Sequence, residues 1–161
     1  MLYDLKEMPD SSRIWIYQAE RRLTPDELIF VDTNTRQFLS NWKAHGMELN
    51  ASYQIAYDQF LILILNEADA EASGCSIDAS VHLIKALEER LGISFITSDK
   101  VAFLQEDEVE LVAFSQIKEM VKDKKIIPES LVFNNTIKTL GELKSQWLVE
   151  SGSTWTSRYF R

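Results

Sequence analysis

Phe60-Leu61-Ile62-Leu63-Ile64-Leu65, the loop Asn66-Glu67-Ala68-Asp69-Ala70-Glu71-Ala72-Ser73-Gly74, and then Cys75-Ser76-Ile77-Asp78-Ala79-Ser80 decide the fold class. The first six residues are the most apolar run in the chain and show no alternation. They predict a strand covered on both faces. The loop is acidic and rich in alanine. Behind it Ile77, Val81, Ile84, Leu87 and Leu91 recur at helical spacing, and Gly92 ends the stripe. A buried strand, a small-residue loop and a helix N-terminus follow one another, and the only cysteine lies in the joint.

Upstream, Tyr53, Ile55 and Tyr57 alternate with Ser52, Gln54 and Asp58, the mark of a half-buried strand. Asp58-Gln59 reads as a tight turn into the apolar run. Thr24-Pro25-Asp26-Glu27 reads as a helix start, with Thr24 as cap, Pro25 in the first turn and Glu27 closing a capping box. That helix is expected to reach about Ala44, carrying Leu28, Val31, Thr35, Phe38, Leu39 and Trp42 on one face, and Gly46 stops it. Arg13-Ile14-Trp15-Ile16-Tyr17-Gln18 is β-branched and aromatic and predicts the first strand, behind a lead-in over residues 1–12.

Downstream, Val101–Leu104 and Val109–Val112 flank Glu106-Asp107-Glu108 as a hairpin with an acidic tip. A short helix from Ser115 carries Ile117, Met120 and Val121. Leu131-Val132-Phe133 is the last expected strand. Thr139-Leu140-Gly141-Glu142 opens a helix with Leu143, Trp147 and Leu148 on its apolar face. The order β-α-β-β-α-β, then β-α-β-α, predicts an α+β fold with a mostly antiparallel sheet. Its expected core is ferredoxin-like, extended by a further hairpin strand, a strand and two helices. Residues 1–150 are expected to form one domain. The tail 151–161, with Trp155, Tyr159 and Phe160, is expected to dock on that domain, and a homodimer through the tail is the alternative.

At 161 residues the chain can bury a sizeable core. Its net charge of -8 repels phosphate backbones, and Lys122-Asp123-Lys124-Lys125 is too short to offset it, which argues against nucleic acid as a partner. A membrane helix needs about 20 apolar residues, so the six-residue run predicts no insertion. The first residues show no basic stretch leading into an apolar one. With a single cysteine no internal disulfide can form, and together these features predict a cytoplasmic protein.

Four phrases together resemble a family of small bacterial proteins that carry the label "ABC transporter ATPase". They are Ser12-Arg13-Ile14-Trp15-Ile16-Tyr17, Trp42-Lys43-Ala44-His45-Gly46, Ser73-Gly74-Cys75-Ser76-Ile77-Asp78, and the terminal Trp155, Arg158 and Phe160. The resemblance implies a shared fold over nearly the whole chain and brings no catalytic residues with it. The label itself finds no support in the residues. Such an ATPase needs Gly-x-x-x-x-Gly-Lys-Ser/Thr to hold phosphates. The five glycines, Gly46, Gly74, Gly92, Gly141 and Gly152, are never spaced five apart nor followed by lysine.

The candidate site centres on Cys75. Unpaired N–H groups and the positive end of the helix dipole stabilise a thiolate at a helix start. Asp78 and His82 stand four residues apart, where the acid can orient the imidazole, and His45 is the other candidate base. The competing reading makes Cys75 a small packed residue, with Ser76 as cap and Asp78 offsetting the dipole. Ser73, Gly74 and Ser76 are candidate ligand-binding residues, as are Tyr53 and Tyr57, whose rings share a strand face. His45 at the end of the first helix also suits a purely structural role against the last carbonyls.

No metal site is expected. Glu67, Asp69 and Glu71 lie at i, i+2 and i+4, but position six of a calcium loop would be Ala72 and position twelve Asp78. No cofactor is expected either. The functional expectation is a non-enzymatic module binding a small molecule or a protein. The alternative is a small cysteine-dependent enzyme or thiol sensor.

Overall fold

A computed structural model describes all of residues 1–161. It is an α+β protein built on antiparallel sheets, and the chain divides into two compact units where the sequence suggests one domain. The first comprises Met1–Ile96 and Lys138–Gly141, the second Thr97–Ile137 and Glu142–Arg161.

The first unit holds a three-stranded sheet in the order β1 (Arg13–Gln18), β5 (Phe60–Asn66), β4 (Asn50–Ala56). Both pairings are antiparallel, with Trp15 opposite Leu63 on one side and Tyr53 opposite Leu63 on the other. As the central strand, β5 has residues 60–65 all 0–1% exposed, which is why its sequence does not alternate. Leu61, Leu63 and Leu65 pack with Val31 and Leu39 of α1 (Pro25–Ser40) and Ile84 and Leu87 of α2 (Gly74–Leu91). Gly92 closes α2 in the left-handed conformation at φ 66°.

The start of α1 follows the sequence reading. Thr24 Oγ1 accepts from the Glu27 N–H at 3.3 Å, and a Glu27 carboxylate oxygen accepts from the Thr24 N–H at 2.8 Å. Arg21 forks onto the same carboxylate with two 2.9 Å bonds and, with the cap, lowers the Glu27 pKa to about 2.

The end of α1 does not follow it. The helix stops at Ser40, and Asn41 turns its side-chain amide onto the Gln37 carbonyl at 2.9 Å. Residues 43–48 then form a small hairpin, β2 (Lys43–Ala44) with β3 (Met47–Glu48). Its two-residue tip is His45 at φ 51° and Gly46 at φ 79°, the left-handed pair that such turns require. Gly46 therefore shapes a hairpin rather than stopping a helix, and His45 is not at a helix end. The turn after β4 also differs. Tyr57 and Asp58 take φ 53° and 54°, so Tyr57 sits in the turn, exposed, and not beside Tyr53 on the strand face.

Through α2 the element order is that of the first split β-α-β of a ferredoxin-like sheet. The strand expected to complete it, β6 (Lys100–Gln105), lies in the second unit instead. Beside β1, an isolated antiparallel bridge between Arg13 and Thr139 occupies that place. The Ile14 N–H donates to the Lys138 carbonyl at 3.0 Å, and the Leu140 N–H to the Ser12 carbonyl at 2.9 Å.

In the second unit the sheet order is β7 (Glu108–Ala113), β6, β8 (Leu131–Phe133), β9 (Leu148–Glu150), all antiparallel. The hairpin tip Glu106-Asp107 is left-handed at both residues. The helix α3 spans Phe114–Lys122, and α4 spans Leu140–Gln146, its residues from Glu142 onward belonging to this unit. Trp147 lies beyond the end of that helix, and Leu148 belongs to β9. The tail forms two 3-10 turns, Ser151–Ser153 and Trp155–Phe160. Trp155, Tyr159 and Phe160 pack against the core of Val101, Phe103 and Val132, so the tail docks on its own chain.

Candidate functional site

The Cys75 site is assembled by one long-range bond. Trp42, only 2% exposed, donates its indole N–H to the Ser76 carbonyl at 2.9 Å. Its ring lies 5.4 Å from Phe38 and 6.0 Å from Trp15, centre to centre. The indole thereby ties the hairpin carrying His45 to the first turn of α2, 34 residues away.

That first turn is capped by Ser73, not by Ser76. The Ser76 N–H donates to Ser73 Oγ at 3.1 Å, and the Ser73 N–H donates to Ser76 Oγ at 2.7 Å. Ser76 is buried beneath the turn, which leaves Cys75, the second helical residue, exposed. The thiol is thus not a packed core group.

A cavity of about 490 Å³ opens there. Phe38 and Trp42 give it an apolar wall, and Lys43 and His45 line it from the hairpin. Cys75, Ser73 and Ser76 line it from α2. The structure so brings together Cys75 and His45, candidates 30 residues apart in sequence. Asp78 and His82 are exposed on α2, do not line the cavity and make no hydrogen bond to each other. The site therefore offers a thiol with one imidazole, without the acid that the helical spacing suggested. Gly74 begins the helix and is itself exposed.

Tyr53 lies in a second cleft, of about 560 Å³, also in the first unit. Its hydroxyl donates to Asp32 Oδ1, while Arg36 Nε donates to Asp32 Oδ2 at 3.0 Å and the guanidinium carbon sits 5.4 Å from the Tyr53 ring centre. Burial and the bond to Asp32 push the phenol pKa up to about 12. Sequence reasoning missed Lys43, Asp32 and Arg36. The last two carried a signal in their i,i+4 spacing on α1.

No group of three or more His, Cys, Asp or Glu is placed to hold a metal ion. The acidic loop uses its own carboxylates. Glu67 accepts the Ala72 N–H at 2.9 Å and Asp69 accepts the Asn50 side-chain amide at 3.2 Å. No helix is long and apolar enough to cross a membrane. Comparison with known proteins finds no family model, no curated protein and no solved structure that matches this chain.

Proposed function

We propose that the chain acts through the Cys75 cavity as a small cysteine-dependent enzyme or thiol sensor of the cytoplasm. One observation supports this above the others: an exposed thiol at a helix start shares a cavity with an imidazole delivered by a separate element. Cys75 stands in the first turn of α2, where N–H groups without a helical partner attract negative charge. His45 is the base that takes the thiol proton. The ring of Phe38 holds the apolar part of a small electrophilic ligand, and Lys43 attracts an anionic one.

The test is iodoacetamide labelling of the folded protein, followed by mass spectrometry between pH 6 and 9. Cys75 is expected to react without unfolding, and His45→Asn to slow the reaction at pH 7 at least about tenfold, as the loss of a positioned base does. Asparagine tolerates the left-handed backbone of position 45, so the hairpin survives the change. Labelling only after unfolding, or at the same rate in both proteins, ends this reading.

A second reading is a non-enzymatic binding module. It is favoured by the thiol itself, which makes no hydrogen bond to His45 or Asp78. A ligand protected from dialysis by the folded protein, with Cys75→Ser binding it equally well, selects this reading.

A further inference from the structure

The outer edge of β4 is only partly used. β4 is an edge strand paired with β5 on one side. On its other side the Ala51 N–H donates to the Met1 carbonyl at 3.0 Å and the Ala51 carbonyl accepts the Tyr3 N–H at 2.8 Å, with Leu2 bridging Ala51 in parallel. Backbone groups on a strand alternate in direction. Those of Tyr53 and Ile55 therefore point the same way as those of Ala51, and no backbone partner meets them. Beyond Tyr3 the chain turns at Asp4 into the 3-10 turn Leu5–Glu7, which stays close to β4 but makes no main-chain bond to Tyr53 or Ile55. The open groups border the Tyr53 cleft, which Asp4, Asp32 and Arg36 also line.

We propose that this free edge at Tyr53–Ile55 is a docking site for an extended, basic segment of a partner protein, added as a further strand. Two features select this occupant. The edge already holds one extended segment, Met1–Tyr3, by main-chain bonds, and the unpaired groups continue the same row. The charge of the cleft also favours a cation. Its two carboxylates, Asp4 and Asp32, face one guanidinium, and Arg36 is already bound to Asp32. A chain of net charge -8 attracts basic segments over the same range and repels its own copies.

The probe is a capped heptapeptide of alternating lysine and valine, titrated into the full chain at low salt with amide chemical shifts as readout. Shifts are expected first at Tyr53 and Ile55, and a glutamate–valine peptide is expected not to bind. Ile55→Pro removes an outward N–H and leaves the ladder to β5 intact, since proline is tolerated on an edge whose N–H faces solvent. It should weaken binding about tenfold, as the loss of one main-chain hydrogen bond does. The same peptide N-methylated at alternate residues should lose binding to the unaltered protein, which tests the strand pairing without touching the fold. Equal binding of the acidic peptide, unchanged binding by Ile55→Pro, or a concentration-dependent dimer that covers Tyr53–Ile55 overturns the proposal.

Discussion

Tyr53 and Asp32 show how one contact sets the chemistry of a residue. The phenol is half-buried against α1 and its proton is held by a carboxylate, so ionising it would place two anions in contact. In the unfolded chain the same phenol titrates near its ordinary 10. Between pH 10 and 12 the unfolded state loses this proton while the folded state keeps it. Stability from Tyr53 is therefore complete below pH 10 and falls as the pH rises toward 12. Absorbance at 295 nm is expected to show a component titrating near 12 that Asp32→Asn brings down toward 10, while the late titration of Tyr17, raised by burial, stays as it was. A Tyr53 that titrates with the other tyrosines contradicts the contact. Cys75 teaches a related lesson. Its type predicts burial, yet the local cap turns Ser76 inward and leaves the thiol outside. The neighbours Ser73 and Ser76 decide its exposure more than its own hydrophobicity does.

Among the elements, those specified by adjacent residues were legible. Thr24 and Glu27 mark the start of α1 by a reciprocal bond three residues apart, and the stripe from Ile77 to Leu91 marks α2 by period alone. The end of α1 was not legible, because Trp42 is drawn off the helix by the Ser76 carbonyl and no nearby residue announces that partner. Tyr57 was misplaced for a different reason. Alternation continued one residue into a turn whose left-handed backbone flips the side chain away. Half of the candidate pair was readable, since Cys75 before a helix is a local pattern. Its pairing with His45 depends on the hairpin, so it was not. The cap of α2 carries a prediction at this scale. Ser73→Ala removes the acceptor for the Ser76 N–H and is expected to cost about 1 kcal/mol, read as a lower urea midpoint with an unchanged slope. Ser76→Ala tests the return bond and is expected to cost more than an exposed cap, because Ser76 is only 2% exposed and its removal leaves a void.

At the scale of the whole molecule, the α+β class and the antiparallel pairing could be read from strand length, alternation and turn residues. The division into two units could not. It depends on β6 joining β7 and β8 rather than lying beside β1, and a six-residue strand fits either place by its sequence. The hairpin tip Glu106-Asp107 holds β6 to β7, and Phe103 and Leu104 pair with Val132 and Leu131 on the other side. The aromatic tail then completes the second unit. Gly152 lets it approach closely. A Cβ at that position would stand 3.0 Å from the Pro128 Cβ, and the Gly152 N–H donates to the Pro128 carbonyl at 2.8 Å. Beyond this anchor Trp155 lies 5.6 Å from Phe114, and Arg158 stacks on the rings of both Trp155 and Tyr159. Because these rings cover Val101, Phe103 and Val132, Trp155→Ala is expected to destabilise the second unit by about 2 kcal/mol, roughly half the cost of a fully buried tryptophan. Faster amide exchange in β6 and β8 is the readout. Truncation after Ser153 is expected to do the same more strongly while leaving the mass in solution that of the intact chain's own assembly state. Unchanged exchange together with a halved mass would instead assign the tail to a contact between copies.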